Sequence, residues 1–356
     1  MNAMDKLLKA QSRNRSMICV GLDLDTKKMP PEFTKSTKGM FDFACKMIEA
    51  TADQVCAYKP NIAFYESLGH EGLSLLRQIV TRIPDHIPVI LDAKRGDIGN
   101  TAQHYAQALY EYFNADWVTL NPYMGYDSLR PFIEHKDKGA FILCLTSNSG
   151  SKDFQMLTVE GRPLYEVVAD KVAYWNKARN LGLVVGATAP EQLVDIRKIA
   201  GDMPLLIPGV GAQGGSLDLA AINGTDGFRK PALINVSRSV LYASEGADFA
   251  QKARAELMRL NAEVSKLRSG QAEPEQTDQP QQDNREQGDS EQPQQVASSS
   301  SQETDNRSSE DGSSQQNQDN RPQQDQNVPP QPENRWPRTT DGSSQRTQSD
   351  SNDRRE

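Results

Sequence analysis

Two aspartates and a lysine stand close together in the run Leu91-Asp92-Ala93-Lys94-Arg95-Gly96-Asp97-Ile98. If an extended strand continues through it, Asp92 and Lys94 point to the same face. A second lysine, Lys59, follows another short apolar run. Alternating carboxylates and ammonium groups hold one another ionised in a low-dielectric pocket, because an opposite charge at contact distance favours the charged form. A lysine fixed in this way is a positioned proton donor. The spacing is also compatible with a structural ion-pair chain at the rim of a fold.

A second set of residues suits an anion. Gly209, Gly211, Gly214 and Gly215 precede an apolar helical stretch. Free backbone N–H groups and a helix dipole could therefore face a negative charge. Gln213 adds an amide donor, and Arg238 adds a guanidinium whose paired donors match phosphate oxygens. A glycine-rich turn alone is weak evidence; the neighbouring arginine strengthens it. The long polar stretch 148–161 reads as a lid.

Elements of two kinds must position these groups. Short β-rich apolar runs occur at 17–22, 55–58, 88–91, 117–120, 140–145, 183–185, 205–207 and 232–236. Helical spacing separates them, as in Phe41, Ala44, Cys45 and Ile48, or Leu73, Leu76, Ile79 and Val80. Near-continuous apolar strands imply burial on both faces and hence a parallel sheet. Eight strand–helix units match a (β/α)₈ TIM barrel, with an open doubly wound sheet as the rival. A barrel carries its functional groups at the C-terminal ends of its strands. Those positions hold Asp23, Lys59, Asn61, Asp92, Lys94, Asp97, Asn121, Ser147, Asn148, Thr188, Ser237 and Arg238.

Four of these segments carry a resemblance. Asp92-x-Lys94-x-x-Asp97 resembles the signature of the orotidine 5′-phosphate decarboxylase family. Tyr58-Lys59-Pro60-Asn61-Ile62-Ala63-Phe64-Tyr65-Glu66 is similar to its second-strand segment. Pro208-Gly209-Val210-Gly211-Ala212-Gln213-Gly214-Gly215 resembles its phosphate loop, and Asn235-Val236-Ser237-Arg238-Ser239 its last-strand arginine. Val20-Gly21-Leu22-Asp23 fits the first strand, and Asn121-Pro122-Tyr123-Met124-Gly125 is most like the longer bacterial-type branch.

The resemblance implies decarboxylation of orotidine 5′-monophosphate to uridine 5′-monophosphate, the last step of de novo UMP synthesis, with no metal or organic cofactor. It implies Lys94 as the ammonium that stabilises and protonates a C6 carbanion, and Asp92 beside the substrate carboxylate. Lys59 would complete the network and contact the ribose, while Asp23 would bind a ribose hydroxyl. Ser147 would meet the pyrimidine edge, and Gly211, Gln213 and Arg238 the phosphate. A homodimer is implied, with Asp97 reaching the partner's site and Ile98 and Thr101 near the ribose across the interface. Mg²⁺-dependent sugar-phosphate relatives share Asp-x-Lys-x-x-Asp but carry an acidic residue where this chain has Lys59. A non-catalytic phosphate-ligand binder is the remaining alternative, and it would need one of these positions broken.

Composition divides the chain. Its 356 residues carry a formal net charge of −8. Residues 271–356 hold 18 acidic and 8 basic groups, net −10, which leaves 30 acidic and 32 basic, net +2, for the rest. That C-terminal stretch has only five residues of the apolar class, Ala272, Val296, Ala297, Val328 and Trp336. So few cannot offset the ordering entropy of a second fold. The expectation is a barrel over 1–268 and a disordered, low-complexity tail over 269–356, whose partner is unknown.

No apolar run approaches the roughly 20 residues of a membrane span, and residues 1–15 show no secretory h-region. Cys19, Cys45, Cys56 and Cys144 have no metal-binding spacing and read as free thiols in a reducing cytoplasm. Neither a nucleic-acid nor a membrane partner is expected.

Overall fold

The computed structural model describes residues 1–211 and 214–270. Its main sheet contains β1 (Ile18–Val20), β2 (Ala57–Tyr58), β3 (Ile90–Arg95), β4 (Trp117–Leu120), β5 (Gly139–Leu145), β6 (Leu181–Val185), β7 (Leu205–Pro208) and β8 (Ala232–Val236). Every ladder in it is parallel. β8 pairs with β1, and the remaining gap between β2 and β3 is spanned by bridges from Tyr58 to Val89 and from Asn61 to Asp92. The sheet therefore closes on itself, which decides for the barrel over the open sheet.

Both faces of each strand are covered, as the unbroken apolar runs require. Cys19, Ala57, Ile90, Trp117, Phe141, Val184, Leu206 and Leu233 pack together inside the barrel. Their strand neighbours, among them Ile18, Val20, Leu91, Val118, Ile142, Leu183, Ile207 and Ile234, join the outer core under the helices. The alternation follows from the two-residue period of a strand.

Among the described residues, the helices of eight residues or more are α1 (Ala3–Asn14), α2 (Thr37–Thr51), α3 (Gly69–Val80), α4 (Gly99–Gln107), α5 (Tyr126–Ile133), α6 (Leu164–Trp175), α7 (Pro190–Ala200), α8 (Leu217–Thr225) and α9 (Phe249–Gly270). The spacing finds α2 to α9, but α4 continues as a π-helical turn over Ala108–Tyr112. Residues 1–15, which show no long apolar run, form α1 ahead of β1. Asn2 caps this helix by accepting the Asp5 N–H at 2.8 Å. Ala3 and Leu7, one turn apart, fill the bottom of the barrel, where Trp117 Nε1 donates to the Ala3 carbonyl at 3.2 Å.

α9 runs to Gly270, the last of the described residues. Residues 271–356 lie outside the described residues, as does Gln213. The four cysteines are free, and no helix among the described residues is long and apolar enough to cross a membrane.

Candidate active site

A cavity of about 540 Å³ opens at the C-terminal mouth of the barrel. Asp23, Lys59, Asp92, Lys94, Ser147 and Arg238 line it, drawn from the ends of β1, β2, β3, β5 and β8. At its heart, Asp92 binds two ammonium groups. Lys59 Nζ lies 3.0 Å from Oδ2, and Lys94 Nζ lies 2.6 Å from Oδ1. The Lys59 and Asp92 side chains are 5% and 12% exposed, whereas that of Lys94 is 48% exposed. Lys94 is thus the member of the chain that faces the open space.

Burial and charge act in opposite directions here. Burial alone would push Asp92 upward, but Lys59 and Lys94 outweigh it and hold the carboxyl below the usual range. Burial likewise opposes a charge on Lys59, and Asp92 and Asp23 outweigh it and raise the ammonium above its ordinary value. Asp92 and Lys59 are therefore held in their charged forms.

Simple strand alternation does not explain how Asp92 and Lys94 meet. Leu91 pairs with Val118 and Arg95 with Leu120, so four steps along β3 oppose two along β4. The extra residues bulge, and Lys94 takes a left-handed φ of 50°. The expected contact is made, through an irregularity that the spacing does not encode.

Asp23 is held by two donors. Its Oδ1 accepts the Asn61 N–H at 3.1 Å, and its Oδ2 accepts the Ser237 hydroxyl at 2.9 Å. A Cβ on Gly21 would fall 2.0 Å from Ser237 Oγ, so glycine is required there for β1 and β8 to share this contact. Tyr242 donates to the Asp23 carbonyl at 3.2 Å and accepts the Asp25 N–H at 2.7 Å, which fixes the loop after β1. Asn61 and Ser237 are among the strand-end positions read from the sequence, whereas Thr119 and Tyr242 are not. A buried threonine in an apolar strand and a tyrosine just past the short helix Arg238–Leu241 leave no signal in spacing.

The anion end is simpler than expected. Arg238, Gly209 and Val210 line the cavity, and Arg238 makes no ion pair among the described residues. The glycine loop, however, folds on itself. The Gly211 N–H donates to Gly215 O at 3.0 Å, Gly214 N–H to Gly211 O at 2.9 Å, and Gly215 N–H to Gly209 O at 3.1 Å. These donors are engaged rather than free for an anion, and Gly211 does not line the cavity. Its φ of 71° shows that it shapes the turn.

The profile of the Orotidine 5′-phosphate decarboxylase / HUMPS family matches residues 16–253. The chain belongs to this family. It is 52% identical to an orotidine 5′-phosphate decarboxylase of Dehalococcoides mccartyi over 265 residues, 73% of this chain and 96% of that one. A relative of the same name in Ralstonia pickettii is 45% identical over 273 residues, 76% of this chain and all of that one. Among solved structures, the OMP decarboxylase of Leishmania donovani shares 40% identity at a TM-score of 0.67, covering 76% of this chain and all of the other.

Of the positions that the decarboxylase resemblance singles out, Gly211 lies off the cavity and Gln213 outside the described residues, and the rest fall into two groups. Asp23, Lys59, Asp92, Lys94, Ser147 and Arg238 meet in one cavity. Asp97, Ile98 and Thr101 do not line it. Asp97 Oδ1 instead accepts the Ile98 N–H at 2.8 Å, and Ile98 is 56% exposed. The 148–161 stretch holds a helical turn, Ser151–Phe154, and its Thr158–Val159 pairs with Arg162–Pro163. Gln155 Oε1 accepts the Thr146 N–H at 2.7 Å and ties this stretch to the end of β5 beside Ser147. His104 is an exposed residue on α4 and does not line the cavity.

Proposed function

We propose that this chain decarboxylates orotidine 5′-monophosphate to uridine 5′-monophosphate. The observation that carries the reading is the Lys59–Asp92–Lys94 chain in a cavity that also presents Arg238. Arg238 holds the phosphate, Ser147 meets the pyrimidine edge and Asp23 accepts from a ribose hydroxyl. The bond between C6 and the carboxylate breaks, CO₂ departs, and the electron pair stays on C6. Lys94, charged and facing the cavity, stabilises this pair and then donates its proton to C6. Asp92 repels the substrate carboxylate and holds Lys94 in place. Binding energy from the distant phosphate supports orientation at C6.

Lys59 favours this reaction over that of Mg²⁺-dependent relatives. Its ammonium lies against Asp92 Oδ2, where a positive charge already neutralises the carboxylate. A divalent cation there would meet like-charge repulsion. Incubation with carboxyl-labelled substrate should release labelled CO₂ one for one with uridine 5′-monophosphate. A folded, nucleotide-binding protein that releases neither would overturn the assignment.

The working unit is a homodimer with shared sites. This reading rests on Asp97, Ile98 and Thr101, which lie outside their own chain's cavity while Ile98 exposes an apolar surface. Mixing Lys94→Ala with Asp97→Ala protein, each poorly active alone, should restore activity, because a mixed pair contains one intact site. Failure to restore it in verified mixed dimers would place Asp97 outside a shared site. The four free cysteines suit a reducing cytoplasm.

A further inference from the structure

We infer that Thr119 is a positioning residue for the charge chain, acting through its hydroxyl; this deepens the decarboxylase reading and rests on it. Thr119 lies within β4, whose other residues, Trp117, Val118 and Leu120, are wholly buried and apolar. Thr119 itself is 1% exposed, and a buried β-branched residue in a barrel strand ordinarily serves packing alone. Its hydrogen bonds point to more.

Thr119 Oγ1 donates to Asp92 Oδ1 at 2.9 Å and accepts the backbone N–H of Lys94 at 3.0 Å. A hydroxyl has a single proton, so these two bonds fix its orientation. With Lys59 and Lys94, Thr119 completes three side-chain donors on Asp92: two on Oδ1 and one on Oδ2. One hydroxyl thus restrains both partners of the central ion pair, one by its carboxylate and the other by its backbone.

The backbone contact falls where restraint is needed. Lys94 has a φ of 50° inside a bulge that leaves the ordinary ladder between Leu91 and Arg95. A left-handed backbone at a residue with a Cβ is unfavourable and persists only where its surroundings hold it. β4 offers the bulge no regular pairing between Val118 and Leu120, and the Thr119 hydroxyl supplies the acceptor instead. Loss of this acceptor frees the Lys94 backbone, and loss of the donor frees the Asp92 carboxylate to turn. Both motions move Nζ away from the carbon it must protonate, although substrate is held mainly by other groups.

Two variants separate the hydroxyl from the shape. Thr119→Val keeps the branched volume and removes both hydrogen bonds; Thr119→Ser keeps the hydroxyl and loses a methyl. The full chain should be assayed for decarboxylation, with uridine 5′-monophosphate affinity and thermal unfolding measured alongside. Thr119→Val should lower kcat about 10- to 100-fold, the effect of a hydrogen bond to a charged group. KM and product affinity should stay within a few-fold of wild type, and Thr119→Ser should retain most of kcat. Valine as active as wild type, or serine as impaired as valine, would reduce Thr119 to packing. Inactive wild-type protein in the same assay would instead overturn the decarboxylase reading itself.

Discussion

Replacing Lys59 by methionine tests whether the charge chain is a buried unit. Methionine preserves length and apolar bulk but removes the ammonium from Asp92 Oδ2. An exposed ion pair contributes at most about 1 kcal/mol. The Lys59 and Asp92 side chains are only 5% and 12% exposed, so this pair belongs to the other class. Removing one partner from a buried pair costs about 3–5 kcal/mol, because the survivor stays desolvated. That is a large fraction of the roughly 5–15 kcal/mol that stabilises a typical domain.

The pH dependence has a definite sign. Asp92 has a folded pKa below its unfolded value, so its contribution is present above the ordinary carboxylate range and is lost as pH falls through the folded value. Without Lys59 the folded pKa rises. The stability gap between wild type and Lys59→Met should therefore be widest near neutrality and should narrow in acid. Denaturant unfolding at several pH values measures this directly. Adding Asp92→Leu to Lys59→Met should recover much of the lost stability, since an apolar pair of similar volume is tolerated, while the protein stays inactive. A loss below about 1 kcal/mol for the single variant, or a double variant no more stable than the single, would refute the reasoning.

The remaining predictions concern separate parts of the molecule. Lys94→Ala should abolish turnover with little change in unfolding midpoint or uridine 5′-monophosphate affinity, because its side chain is 48% exposed; calorimetry and activity assays check both. Arg238→Ala should weaken nucleotide phosphate binding about 10- to 100-fold in titrations, with uridine affinity nearly unchanged. Arg197 is buried and donates to the carbonyls of Gly201, Met203, Gly224 and Pro231. Arg197→Met should destabilise the barrel by about 3 kcal/mol or more in denaturant unfolding, and the folded fraction should keep its kcat.

Much of this was legible in the residues. All eight apolar runs are strands of the barrel, because burial on both faces leaves a continuous apolar signature. Lys59, Asp92 and Lys94 were visible because charged residues abut those runs. What escaped depends on contacts between distant segments. α1 was hidden by a polar sequence whose buried residues, Ala3, Leu7 and Ala10, share one face. The bulge at Lys94 follows from how β3 meets β4, and neither segment encodes it alone. Thr119 looks like any strand threonine until Asp92 stands opposite its hydroxyl. Glycine marks a turn at 209–215 without saying which N–H groups face an anion; those of Gly211, Gly214 and Gly215 bond within the loop.

The central claim is that Lys94 carries out a metal-independent decarboxylation. It is tested most directly by mixing the protein with orotidine 5′-monophosphate in EDTA and following the loss of substrate absorbance. Wild-type protein should consume the substrate fully, and Lys94→Ala protein that still binds uridine 5′-monophosphate should leave it unchanged. Steady turnover by Lys94→Ala, or wild-type activity that appears only when Mg²⁺ is supplied, would contradict the account.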